Sequence, residues 1–291
     1  MILARMVLFF IATSVVSQSA MAQSTPTPAP QTNRVKIEYV PPTNPAHQPI
    51  LDLLKRRKTL ERLQTLLSPV RFPRDLLLRV KGCGVVNAWY ENDVVTVCYE
   101  YLDFIQKNAP KQTTRDGVTP EDALVGQSYY VFLHEVGHAM FAYFQIPVFG
   151  GEEQAADQFS TYMMLLIGQA EAFPLIMGAT YTFQSFLRSP EITAPIASFS
   201  DIHGTPAQRY FNLMCIGYGA RPDIFDAVVT NHFLPSGRAP DCAFEYGALA
   251  WAFNGLIQPH VDQQLAKTVL DSSWLPAVTL RPTRPGHPPA Q

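Results

Sequence analysis

The hydrophobic pattern is densest around residues 129–144, YYVFLHEVGHAMFAYF, which reads as one turn after another of an apolar helix interrupted by a few polar side chains. Its start is legible upstream: Thr119 suits an N-cap, Pro120 the first helical position, and Glu121-Asp122 the first turn. The helix should run to about Phe144. Gly137 inside it costs about 1 kcal/mol relative to Ala, which implies that another element packs close against the helix at that point.

N-terminal to this helix, Ile50 to Leu67 has helical periodicity with basic residues on one face. Leu76 to Val80, Val85 to Tyr90 and Val94 to Cys98 read as short strands, with Glu91-Asn92-Asp93 as a hairpin turn. Beyond the helix, Gly150-Gly151 opens a second one. From about Phe173 the chain reads as mostly helical, with segments near Thr205 to Ile216, Asp223 to His232 and Ala243 to Leu256. No internal repeat is apparent. The pattern predicts an α+β fold, mostly helical, with a small antiparallel sheet beside the apolar helix.

The ends differ from this body. Arg5, the apolar run Met6 to Val16 and the small-residue site Ala20-Met21-Ala22 have the form of a cleaved signal peptide over residues 1–22. Residues 23–49 are rich in Pro, Thr and Gln and are expected to form a disordered linker, and 281–291 a tail of the same kind. A single domain over 50–280 is left, and a hydrophobic content of 47% supports a substantial core. A net charge of −2 offers no footprint for nucleic acid. No stretch after the signal segment reads as membrane-spanning, so a periplasmic or secreted location is expected. Four cysteines, Cys83, Cys98, Cys215 and Cys242, fit an exported chain with two disulfides, for which three pairings exist. Without a C-x-x-C pair, a cysteine zinc site is disfavoured.

Candidate chemistry centres on His134-Glu135-Val136-Gly137-His138, the H-E-x-x-H pattern. Residues four apart share a helix face, so both imidazoles can reach one Zn²⁺ while Glu135 turns toward the attacking water. Two histidines on an apolar helix can also be satisfied core residues, so a third ligand decides the matter. A metzincin would place Gly at position 141 and His at 144, where this chain has Phe141 and Phe144. The inverzincin order fails as well. Glu153 and Asp157 again sit four apart on the second helix, which makes Glu153 the third ligand and Asp157 the acceptor for the far ring nitrogen of His134. Glu152 is the fallback ligand. Complementing a helix dipole would account for Glu152 and Glu153 without a metal, but not for Asp157.

The segments HEVGHAM, GGEEQAADQF and DIHGTPAQRYFNLMCIGYG together resemble a family of bacterial envelope proteins catalogued as metallopeptidases with largely unassigned substrates, itself similar in its core to thermolysin-type gluzincins. The likeness spans roughly residues 70 to 260. It implies a zincin-like fold, one Zn²⁺ per chain, and a peptide or protein substrate; no sequence feature sets an oligomeric state. It also favours Cys83 with Cys98 and Cys215 with Cys242, pairs that each bracket a short segment. Closing a loop of about 15 residues contributes roughly 3 kcal/mol. By the same resemblance, a strand ahead of the zinc helix lines the cleft, either Val94 to Cys98 or Val85 to Tyr90. His203 becomes the candidate oxyanion donor, and Arg209 a residue orienting Asp201 or a cleft carboxylate. Tyr129, Tyr130 and Tyr218 are alternative donors. The expected activity is hydrolysis of peptide bonds with Glu135 as general base. A non-catalytic zinc-binding envelope protein and a zinc amidase acting on cell-wall material are the alternatives.

Overall fold

The computed structural model describes residues 33–115, 117–187 and 200–270. The expected signal segment, residues 23–32 of the expected linker and the expected tail lie outside them.

Four strands form one sheet, β1 (Val35–Tyr39), β2 (Leu76–Lys81), β3 (Ala88–Glu91) and β4 (Val94–Cys98), in the order β1-β2-β4-β3. The expectation of an antiparallel sheet is corrected: β1 with β2 and β2 with β4 run parallel, and only β3 with β4 is antiparallel. Only that last pair is joined by a tight hairpin, whereas β1 reaches β2 through an intervening helical crossover of the kind parallel strands require. The expected linker is also corrected at its C-terminal end. VKIEY alternates apolar and polar residues, Val35 is buried, and Val35 pairs with Leu76 and Tyr39 with Val80. That pairing draws residues 35–39 into the fold despite the prolines around them.

At the hairpin, Asn92 and Asp93 both take positive φ, 49° and 65°, the geometry of a turn whose twist matches its strands. The strand expected over 85–90 begins only at Ala88; Val85 and Val86 stand exposed outside it.

Between β1 and β2 lie α1 (Gln48–Arg56) and α2 (Thr59–Leu67). The single helix expected over 50–67 is broken at Lys58, whose left-handed φ of 50° ends one helix and begins the next. Part of the basic face is paired: Arg56 and Arg57 reach Glu121 at 3.0 and 3.1 Å, and Arg62 reaches Glu171 at 2.8 Å.

After α3 (Tyr99–Asn108) comes the central helix α4 (Pro120–Phe144), buried along most of its length. Its start is as expected, with Thr119 and Asp122 forming a reciprocal capping box and Pro120 at the first position. α5 (Glu152–Leu166) and α6 (Gln169–Leu187) pack on α4. The close approach implied by Gly137 is found: a Cβ there would lie 3.2 Å from Ala156 Cα of α5. α7 (Pro206–Ala220), α8 (Pro222–Thr230), α9 (Ala239–Leu256) and α10 (Gln263–Val269) complete the described body.

The cysteines pair as expected. Cys215–Cys242 ties α7 to α9, and Cys83–Cys98 ties the segment ahead of β3 to the end of β4. Glu100 accepts the backbone N–H groups of Cys83 and Gly84 at 3.0 and 2.9 Å, holding the same segment. Among the described residues no helix is long and apolar enough to cross a membrane.

Candidate metal centre

Because α5 meets α4 at Gly137, the C-terminal half of the apolar helix, from Tyr130 onward, faces the first part of α5, as far as Ser160. His134 and His138 stand one turn apart on α4 and meet Glu153 from α5. His134 Nε2 is 3.0 Å from Glu153 Oε2, His138 Nε2 is 3.3 Å from His134 Nε2, and His138 Nε2 is 3.5 Å from the same Glu153 oxygen. A tetrahedral ion with bonds of about 2.0–2.1 Å separates its ligand atoms by roughly 3.3–3.4 Å, so the trio has the spacing and the donor types that fit Zn²⁺. A second cluster, Cys83, Cys98 and Glu100, has its sulfurs joined in the disulfide.

Each imidazole is held from behind. His134 Nδ1 lies 2.7 Å from Asp157 Oδ1, as the sequence predicts, and His138 Nδ1 lies 2.8 Å from Glu152 Oε1. Glu152 therefore sits outside the trio, as a partner of His138. Asp157 is itself gripped: Arg209 donates from Nε to Oδ2 at 2.9 Å and from a terminal nitrogen to Oδ1 at 2.8 Å, while the Tyr130 hydroxyl donates to Oδ1. The expectation that Arg209 orients Asp201 or a cleft carboxylate is corrected: its hydrogen bonds go to the buried Asp157, which does not line the cleft. Arg209 also donates to the Tyr130 hydroxyl at 2.8 Å, so Tyr130, weighed as an oxyanion donor, faces the carboxylate instead.

The electrostatics follow from burial and these contacts. Burial alone would lower the His134 pKa, but hydrogen bonds to Asp157 and Glu153 outweigh it and raise the ring to about 9. Its hydrogen bond to His134 holds Glu153 down at about 2. Burial works against the Asp157 carboxylate, yet His134 and Arg209 keep it below the usual range. Glu135, buried between the helices and the sheet, is raised by desolvation, with the two histidines opposing.

Glu135 faces β3. The backbone N–H of Cys98 bonds to Asn87 O, and the alternation of an antiparallel ladder then turns the backbone groups of Ala88 and Tyr90 away from β4, toward the open edge. The Tyr90 backbone accordingly hydrogen-bonds the Glu135 carboxylate. β4 is interior, paired on both sides, so β3 is the cleft strand of the two candidates. A cleft of about 430 Å³ lies here, lined by Asn87, Trp89, Tyr90, Glu135, Glu153 and His203 among others.

His203 comes from the loop ahead of α7. Its Nδ1 and its backbone N–H both lie 2.9 Å from Asp201 Oδ1, and its Nε2 lies 3.1 Å from Glu153 Oε2. Sequence reasoning missed Tyr130 in its clamp, Asp201 as the group that orients His203, and Glu152 behind His138. Tyr130 carried a usable signal, since it precedes His134 by four residues and shares its helix face.

A family model described as "Putative metallopeptidase" matches residues 39–257. The chain belongs to this family. Membership in a metallopeptidase family implies a metal, and His134, His138 and Glu153 form a group able to hold one. No curated protein and no solved structure matches the chain.

Proposed function

We propose that this metallopeptidase is an exported zinc-dependent enzyme that hydrolyses peptide bonds, with Glu135 as general base. The observation that carries the reading is the convergence of His134 Nε2, His138 Nε2 and Glu153 Oε2 at tetrahedral spacing, with Glu135 on the same helix facing the cleft. Three protein ligands with an adjacent carboxylate are the pattern of a catalytic site, since structural zinc sites are normally closed by four. Export is supported by the form of residues 1–22 and by both disulfides.

When bound, zinc supplies Lewis acidity that polarises a peptide carbonyl and makes water more acidic. Glu135, its pKa raised by burial, takes the proton from that water and returns it to the leaving amine. His203, oriented by Asp201, offers Nε2–H to the carbonyl oxygen as negative charge develops there. Ala88 and Tyr90 present their backbone carbonyls to an extended substrate.

The test is Glu135→Gln assayed on a quenched fluorescent peptide library, with metal content measured in parallel. The variant should keep one zinc per chain and lose about 10²–10⁴-fold in kcat. Undiminished hydrolysis would overturn the assignment.

A further inference from the structure

The two disulfides differ in access and in what they hold. Cys98, Cys215 and Cys242 are fully buried, whereas Cys83 is partly exposed. Cys215–Cys242 joins two helices whose residues do not line the cleft. Cys83–Cys98, with a sequence separation of 15, closes a loop that contains the whole β3–β4 hairpin. Within that loop Asn87, Trp89 and Tyr90 line the cleft, and the Tyr90 backbone hydrogen-bonds Glu135.

Little else holds this side of the hairpin. β3 has four residues and pairs on one side only, with β4. The chain ahead of it is fastened by the bond from the Cys98 N–H to Asn87 O, by the N–H groups of Cys83 and Gly84 on Glu100, and by the disulfide. Short edge elements with few contacts are the parts of a fold that open first, so a covalent tie here sets how firmly the cleft wall stands.

The bridge is also asymmetric in its chemistry. A thiolate from solvent reaches Cys83 Sγ, and the sulfur it expels is that of Cys98, the N-cap residue of α3, where the first N–H groups of the helix favour negative charge. A leaving thiol of lower pKa departs faster. The Glu100 carboxylate, close to both sulfurs, opposes that charge, but its two bonds keep Cys83 beside Cys98 once the bridge is open, ready to close again.

We infer that Cys83–Cys98 is a redox switch on the cleft: oxidised, it fixes β3 as a wall for substrate; reduced by a dithiol, it releases β3 and weakens substrate binding. The inference rests on the peptidase reading of the site and adds its regulation. In the exchange, a thiolate of the dithiol bonds to Cys83 Sγ, and the electron pair of the S–S bond leaves with Cys98. The second thiol of the reductant then displaces Cys83 from the mixed disulfide. The protein gains two electrons and two protons, and the dithiol becomes a disulfide.

The test reduces the zinc-loaded chain with graded tris(2-carboxyethyl)phosphine, removes the reductant, and maps free cysteines by alkylation and mass spectrometry. Cys83–Cys98 should open before Cys215–Cys242. In that state hydrogen exchange over residues 82–91 should quicken, and zinc should stay at one per chain, because its three candidate ligands stand on α4 and α5. A labelled peptide read by fluorescence anisotropy on zinc-loaded Glu135→Gln should bind about tenfold more weakly after reduction and regain its affinity on re-oxidation. Cys83→Ser with Cys98→Ser should match the reduced state and ignore the reductant; if that variant does not fold, the two redox states of one chain decide. Simultaneous opening of both bridges, unchanged exchange over 82–91, or equal peptide affinity in the two states would overturn the inference. If affinity shifts but oxidised wild type cleaves no peptide, the switch on binding stands and the peptidase reading fails. If oxidised wild type cleaves peptide while affinity is the same in both states, the reverse follows.

Discussion

Asp157 and His134 face each other across the α4–α5 contact, carboxylate oxygen to Nδ1 at 2.7 Å, with both side chains buried. The pairing holds a ring proton on Nδ1, so that the proton Nε2 shares with Glu153 in the metal-free chain is the one a metal would displace. Arg209 and Tyr130 hold the carboxylate from its other side, so the orientation of a candidate ligand is set by residues from three helices.

Asp157→Asn should weaken zinc affinity by about 10–100-fold, the usual effect of removing the partner of a ligand histidine. Competition against a chromophoric chelator measures this directly. Unchanged affinity would show that the contact does not prepare His134.

Arg209→Ala strands Asp157 in the interior without its main cationic partner. A loss of about 3 kcal/mol in unfolding free energy is expected, read as a lower urea midpoint. Arg209→Lys should recover less than half of it, since an ammonium cannot reproduce the two parallel bonds of the guanidinium. Full recovery would mean that charge alone matters.

The raised pKa of His134, about 9 against an ordinary 6.5, sets a pH dependence for the metal-free chain. Its pairing stabilises the fold fully below about pH 6.5 and fades as pH rises through about 9. A metal ligand must be neutral, so zinc and the proton compete for this ring. Zinc binding at pH 7 should therefore release about one proton from His134, and affinity should climb close to tenfold per pH unit toward pH 9. Glu153, held near 2, contributes none of this. Calorimetry in buffers of differing ionisation enthalpy counts the protons; a count of zero would contradict the arrangement.

The proximity of His134, His138 and Glu153 was legible in the sequence because an α-helix converts a spacing of four into a shared face. His134 with His138 and Glu153 with Asp157 both obey that rule, and Gly137 correctly marks where the two helices touch. The N-cap at Thr119 is equally local. β1 was not legible, because Val35–Tyr39 gains its structure from Leu76–Val80, about forty residues away, and the prolines beside it dominate the local pattern. The break at Lys58 interrupts a periodicity that continues on either side of it. The grip of Arg209 on Asp157 spans fifty-two residues and exists only once α7 is placed against α5.

The central claim is that His134, His138 and Glu153 share one zinc ion, and anomalous difference density at the zinc edge from crystals of the zinc-loaded chain tests it most directly. One peak is expected, about 2.0–2.1 Å from both Nε2 atoms and from a Glu153 carboxylate oxygen. A peak elsewhere in the chain, with these three side chains turned away from it, would contradict the account.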